Sequence, residues 1–583
     1  MRLVGKRSLV SLDTQHIKAY VFETGRLKEI RGASSILDRL NRQEMKRVAL
    51  QADQEAMEVF ANGGSGLYAM HSDCVAAFCR SIQGVYQTQT KGSSSIACAV
   101  QDLPADLLVD GPDLLKVNLK QEFELLRFRL QQEKSHPAEI VALPSHPLMH
   151  TCNACGICYS GSRDTSYDED EPDEGDTLYC ASCLAKRHED RWVKTSIRTH
   201  LELPQPFSAH SRINSPLWDR VIRSLQSAHY FIPPGTKRPD DFNDFRQFGA
   251  SKGYLGLIYA DGNNMGMKME GFSTLQEWKD FARQVDDAVY AAVCQAIQKH
   301  LPVQELPGQK PLFPFDILLL GGDDILIVTP ADVALDVALS ISKQFYAETN
   351  QQHTLSVGVI LAPVKYPFGL LHDLAQGTLQ HTKTAGAKRK QVRKQSGKKI
   401  EENTRKKTPE NDDTLINFLV VTGSTSQSFE QVYGSLCEKH GRVSGHENDV
   451  AFYATLRPYT VEELDNLLQA IRMGKELGLG HTKLHQLREA VLKMNLTSSV
   501  MEGLAVLRNW RARQREFVLS QIYTPGKHYQ EQYKDEARPE TLFPRMVFPW
   551  FADGPDVYRS SLLDFVELYD FVASKGGHNA KNG

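Results

Sequence analysis

The stretch Asp316–Val328 reads DILLLGGDDILIV: two apolar runs separated by Gly321, Gly322, Asp323 and Asp324. Runs of this length, rich in branched aliphatic residues and broken by glycine and aspartate, predict a buried β-hairpin with the four polar residues at its tip. Adjacent ionised carboxylates repel each other and resist leaving water. Their place between two greasy strands therefore puts the tip at an edge or cleft, and suggests that a cation joins them there.

Elements of regular order flank this hairpin. GYLGLIYADGNNMG (Gly253–Gly266) is an apolar strand ending in Asp261 and a glycine-marked loop, and 274–301 carries helical spacing. After the hairpin come a helix over about 332–346, a strand over 354–363, a further helix, and a last strand over 414–421. The order β-α-β-β-α-β predicts a ferredoxin-like sheet in which the first strand lies beside the hairpin. Asp261 then meets Asp323 and Asp324. Three converging oxygen donors with room for phosphate favour Mg²⁺ or Mn²⁺, the ions of nucleotidyl transfer. Gly321 and Gly322 clear the turn for a nucleotide. Asn263 and Asn264 are candidate nucleotide-binding residues whose first reading is loop formation, and Lys383 on the late helix is a candidate for a triphosphate.

The N-terminal part repeats the pattern. SLVSLDTQHIKAYVF carries Asp13 at a strand end, and EVFANGGSGLYAM (Glu58–Met70) reads as the matching hairpin, its tip taken as Gly63, Gly64, Ser65 and Gly66, without carboxylates. Between the copies, Cys152 and Cys155 form one knuckle and Cys180 and Cys183 another, a four-thiolate set suited to structural Zn²⁺, with Cys158 as a spare. An acidic run (164–176) and a basic run (388–407) read as solvated loops, the basic one a candidate RNA contact. From Pro458 to Tyr523 the apolar stripes are those of a helical bundle, and the last sixty residues suggest a packed tail helix.

These readings divide the 583 residues into a first palm domain with a degenerate site (1–145), a zinc-binding segment and linker (146–245), a second palm (246–425) and a C-terminal helical domain (426–583), an α+β fold overall. A net charge of −3 and 41% hydrophobic residues are ordinary for a soluble chain. No apolar run approaches a membrane span and no secretory signal is read, so no membrane and a cytoplasmic location are expected.

The string IKAYVFETGRLKEIRGASSILDRLN (Ile17–Asn41), the cysteine knuckles, YADGNNMG, LLLGGDDILIV and the helical C-terminal part, in that order, resemble the large subunit of type III CRISPR effector complexes, the Cas10/Cmr2 family. The resemblance implies two palm domains, a zinc segment and a helical domain. It also implies that the second palm joins ATP into cyclic oligoadenylate on metals held by Asp261, Asp323 and Asp324, activated by target RNA on a guide-RNA complex with small and backbone subunits. Two departures stand out. Many members begin with an HD nuclease domain, whereas this chain opens on the first palm and has His372–Asp373 only inside a palm helix, so no DNase activity is expected. Asn263 stands where members often have a further aspartate. A stand-alone signal-nucleotide synthase and a non-catalytic RNA-binding scaffold are the competing readings.

Overall fold

The computed structural model describes residues 6–104, 111–135, 148–164, 177–202, 217–249, 251, 253–305, 307–397, 414–423, 428–440, 450–523, 546–552 and 557–574. Residues 165–176 of the acidic run and 398–407 of the basic run lie outside them.

The first palm runs β1 (Arg7–Gln15), α1 (Ile17–Val21), α2 (Leu27–Arg39), α3 (Met45–Ala52), β2 (Met57–Asn62), β3 (Ser65–His71), α4 (Ser72–Thr90), β4 (Ser95–Asp102) and α5 (Lys120–Ser135). Its sheet has the order β2-β3-β1-β4. After β5 (Ser162–Arg163), β6 (Leu178–Tyr179), α6 (Ala181–Glu202) and α7 (Leu217–Ser227), the second palm follows. It comprises β7 (Tyr254–Gly262), α8 (Met265–Met269), α9 (Leu275–His300), β8 (Asp316–Gly321), β9 (Asp324–Pro330), α10 (Ala334–Glu348), β10 (Leu355–Pro363), α11 (Phe368–Gly397) and β11 (Leu415–Val420). Its central order, β10-β7-β9-β8, repeats that of the first palm strand for strand. Helix α9 starts on a capping box in which Thr274 and Glu277 satisfy each other's backbone N–H groups, a device worth about 1 kcal/mol.

The duplication extends to single residues. Asp13 on β1 and Asp261 on β7 hold the same place, and three residues later His16 (φ 59°) and Asn264 (φ 60°) both start a short helix in the left-handed conformation. The hairpin register corrects one expectation. Asn62 pairs with Ser65 and Gly321 with Asp324, so the match to Gly321–Asp324 is Asn62–Ser65, one residue earlier than the sequence reading. A two-residue turn allows no other phase. Gly63 (φ 57°) and Gly64 (φ 86°) both lie in the left-handed region, while at the second tip only Gly322 (φ 61°) does. Asp323 thus occupies a turn position open to a side chain, which its counterpart Gly64 does not.

The palms are packed into each other. Along β7, Ile258 and Ala260 join a core with α9 and α10, whereas Leu257 and Tyr259 join a second core with Tyr20, Ile30 and Leu37 of the first palm. Reciprocally, Leu275 and Trp278 of α9 pack with Leu9, Leu67 and Phe123 of the first palm. Each palm covers a face of the other.

The C-terminal part follows as α12 (Phe429–Gly434), β12 (Cys437–His440), β13 (Val450–Tyr453), β14 (Tyr459–Thr460), α13 (Val461–Glu476), α14 (His481–Leu492), α15 (Leu496–Arg508), α16 (Ala512–Phe517), β15 (Met546–Val547), β16 (Trp550–Ala552), β17 (Val557–Arg559) and α17 (Leu562–Leu568). The expected helices and the tail helix are present, accompanied by a five-stranded sheet, β12-β13-β17-β16-β15, that the sequence reading did not contain. Its strands have two to four residues, too short to show a period. Strand β14 extends the second palm's sheet beside β11, so the C-terminal part and that palm share a core.

Candidate active site and metal centre

Strand alternation decides where the carboxylates point. Asp261 follows Leu257 and Tyr259 on β7, and Asp324 precedes Leu326 and Val328 on β9, all on the face that meets the first palm. The ladder pairs Ala260 with Ile325, so the next step sets Asp261 opposite Asp324. Asp323 sits on the turn, its carboxylate hydrogen-bonded by its own N–H and that of Gly262. A side chain at Gly262 would collide with it, since a Cβ there would lie 2.8 Å from Asp323 Oδ2.

The electrostatics are those of a site short of positive charge. Burial and then the Asp261 charge push Asp323 up to about 6. Burial and then Asp261 and Asp323 push Asp324 up to about 7, against Lys18 and Lys383. Lys383 Nζ lies 2.5 Å from Asp261 Oδ2 and acts as the local counter-ion. In the first palm Lys134 Nζ lies 2.8 Å from Asp13 Oδ2, the same pair on the matching helix. Hard oxygen donors, two of them reluctant to ionise together, fit a divalent cation. The three aspartates are not drawn as close as the cysteines: among the described residues, only the four cysteines and the set Glu23, Cys155 and Cys158 have all ligand atoms within 4.8 Å.

The asparagines hold the loop. Asn263 donates its backbone N–H to Thr354 O (2.9 Å) and Nδ2–H to Thr354 Oγ1 (3.1 Å), and its Oδ1 accepts from Ser356 Oγ (2.7 Å). Asn264 supplies the left-handed residue before α8. Gly321 and Gly322 face the first palm's turn, with Gly63 Cα as the nearest atom to a Cβ built on either.

Cys152, Cys155, Cys180 and Cys183 converge from two turns, three of them buried. Four thiolates so placed fit tetrahedral zinc. Cys158 stands beside Cys155, within 4.8 Å of it, with its thiol donating to Glu23 Oε1 at 3.8 Å. The helix that follows, α6, is clamped to α2: a Cβ on Gly32 would lie 1.8 Å from Lys186 O, so only glycine admits the approach. Buried Lys186 donates to Tyr20 O (2.7 Å) and Glu23 (2.6 Å). Arg31 of α2, fully buried, pairs with Asp190 of α6 and Asp316 of β8, each at 2.9 Å.

Three of these features escaped the sequence reading. Arg31 and Asp316 give no local signal, being 285 residues apart. Lys18 was passed over although it lies five residues beyond Asp13. His372 was noticed only as half of an HD pair. It is buried, its ring 4.1 Å from that of Phe22, and burial lowers it to about 4, so it serves as a packed aromatic.

Residues 254–393, β7 through most of α11, match the model of the Cas10/Cmr2 second palm domain. The second palm is thus similar to that of the Cas10/Cmr2 family. A Cas10 relative, the CRISPR system single-strand-specific deoxyribonuclease Cas10/Csm1 (subtype III-A) of Mycobacterium tuberculosis, is 22% identical over 249 residues, 37% of this chain. The match spans 30% of that relative's length. Among solved structures, the Csm1–Csm4 cassette in complex with pppApApA superposes with a TM-score of 0.53 at 13% identity, over 97% of this chain and 69% of that one. Csm1 in T. onnurineus gives 0.51 at 14% identity, over 97% and 70%. The cassette in complex with cA3 gives 0.50 at 13%, over 98% and 70%. At such identities the likeness is one of fold, and it extends over 97–98% of the chain. No helix among the described residues is long and apolar enough to cross a membrane.

Proposed function

We propose that the chain is the palm-bearing subunit of a type III CRISPR complex and that its second palm joins ATP into a cyclic oligoadenylate second messenger. The observation that carries this reading is the placement of Asp261 and Asp324 on one sheet face beside the Asp323 turn, in a family whose solved neighbours include complexes with pppApApA and cA3.

Asp261, Asp323 and Asp324 would hold Mg²⁺ or Mn²⁺, which, when bound, neutralises the phosphates and activates the attacking hydroxyl. The chain's own part is positional. The β7–β9 ladder fixes Asp261 against Asp324, and Gly321–Gly322 leave the turn open to a nucleotide. Lys383 supplies the counter-charge of Asp261, and with a cation held by the aspartates its ammonium would be available to a phosphate oxygen. The 3′-hydroxyl of a second nucleotide, held against the first palm, attacks the α-phosphate in line, and pyrophosphate leaves.

The proposed partners are a Csm4-like subunit, small and backbone subunits, guide RNA and target RNA, with zinc stabilising the cysteine segment. The proposed domain limits are those read from the sequence: 1–145, 146–245, 246–425 and 426–583. Cyclic product formed from ATP and Mg²⁺ by the purified assembly, and lost in Asp323→Asn/Asp324→Asn, tests the reading; undiminished product in that variant rejects it.

A further inference from the structure

We infer that Lys18, on the first palm, is a phosphate-binding residue of the second palm's nucleotide site. The inference rests on the proposed ATP-binding role of that site and adds a specific contact to it: a cation delivered across the palm–palm junction to the triphosphate.

The first observation is position. Helix α1 follows β1 directly and lies against β7 of the other palm, where Lys18 Nζ stands 5.4 Å from the centroid of the Tyr259 ring. Tyr259 is two residues before Asp261 and therefore on the same face of β7. The ammonium thus lies along the sheet face that carries Asp261 and Asp324, on the first palm's side of it.

The second observation is availability. Lys18 is exposed, and among the described residues it has no ion pair, its aromatic contact apart. Lys383, the other cation at the site, pairs with Asp261 at 2.5 Å and, even when released from it by a bound metal, brings only one positive charge. Lys268 on α8 is turned away, donating to Gln352 O at 2.7 Å. A nucleoside triphosphate brings about four negative charges to a place that already holds three carboxylates, and metal ions cover only part of them. A flexible, hydrated ammonium with three donors, free to leave an aromatic face, suits the outer phosphates.

The third observation is the repeat. Helices α1 and α8 start from equivalent left-handed residues, yet the place of Lys18 in α1 falls on Gly266 in α8. Of the two copies, only α1 carries a cation at this place.

The test is equilibrium binding of ATP and of AMP to the full chain with Mg²⁺, for the native protein, Lys18→Gln and Lys18→Arg. Loss of a charge-assisted phosphate contact weakens ATP by about tenfold or more. AMP, which lacks the outer phosphates, is expected to change less than about twofold, and Lys18→Arg to recover most of the ATP affinity. Lys18 is exposed, so the variants are expected to melt with the native protein, and an unchanged melting temperature shows that the loss is local. ATP binding by Lys18→Gln within about twofold of native, or equal weakening of ATP and AMP, overturns the inference. That result, together with product that still disappears in Asp323→Asn/Asp324→Asn, rejects the Lys18 contact alone. Failure of the native chain to bind ATP rejects both the contact and the reading beneath it.

Discussion

Gly63 and Gly322, at the tips of the two palm hairpins, meet backbone to backbone: a Cβ built on Gly63 would lie 3.1 Å from Gly322 Cα. The turn without carboxylates thus abuts the turn that carries them. In Gly322→Ala, the new Cβ would stand 3.3 Å from Gly63 Cα at a residue with φ 61°. A non-glycine residue in the left-handed region costs about 1–2 kcal/mol, so the urea midpoint is expected to fall by the matching amount. An unchanged midpoint would contradict the left-handed conformation at Gly322.

The carboxylate pair gives a pH dependence. With Asp323 raised to about 6 and Asp324 to about 7, the folded metal-free protein binds more protons than the unfolded chain between roughly pH 4 and 7. The pair therefore makes stability fall as pH rises through that window. A divalent ion must displace those protons, so its affinity is expected to climb from pH 5.5 to 7.5 and then level off, as read by calorimetric titration with Mn²⁺. A flat profile would contradict the raised values.

The Arg31 node ties the two palms to the cysteine segment. Removing the guanidinium strands buried Asp316, while Asp190 keeps Arg238 at 2.8 Å, so Arg31→Met is expected to cost about 3–5 kcal/mol, measured by denaturant unfolding. Arg31→Met combined with Asp316→Leu is expected to recover part of that loss, because the stranded charge is gone; no recovery would place the damage elsewhere.

Zinc binding is expected to separate the cysteines. Cys180→Ser should release the metal and lower the melting temperature of the whole N-terminal half, because α6 is clamped on α2. Cys158→Ser should retain the zinc, its thiol being paired with Glu23. Equal metal loss in both variants would assign Cys158 to the ligand set.

The palm topology and the convergence of Asp261 with Asp324 were legible in the sequence, because hydrophobic period and turn residues are local signals and a ferredoxin-like order has one compact solution. The phase of the first hairpin was not. GGSG resembles GGDD as a string, whereas pairing aligns Asn62 with Gly321. The reach of Lys18 across the junction and the Arg31–Asp316 pair depend on how two copies dock, which no window of sequence contains. The five-stranded C-terminal sheet was hidden by the brevity of its strands.

The most direct measurement is product analysis by liquid chromatography and mass spectrometry after incubation of the purified assembly with ATP, Mg²⁺ and target RNA. The account expects pyrophosphate and a cyclic oligoadenylate from the native protein, and neither from Asp323→Asn/Asp324→Asn at equal fold and RNA content. The same cyclic product at undiminished yield from that variant would contradict it.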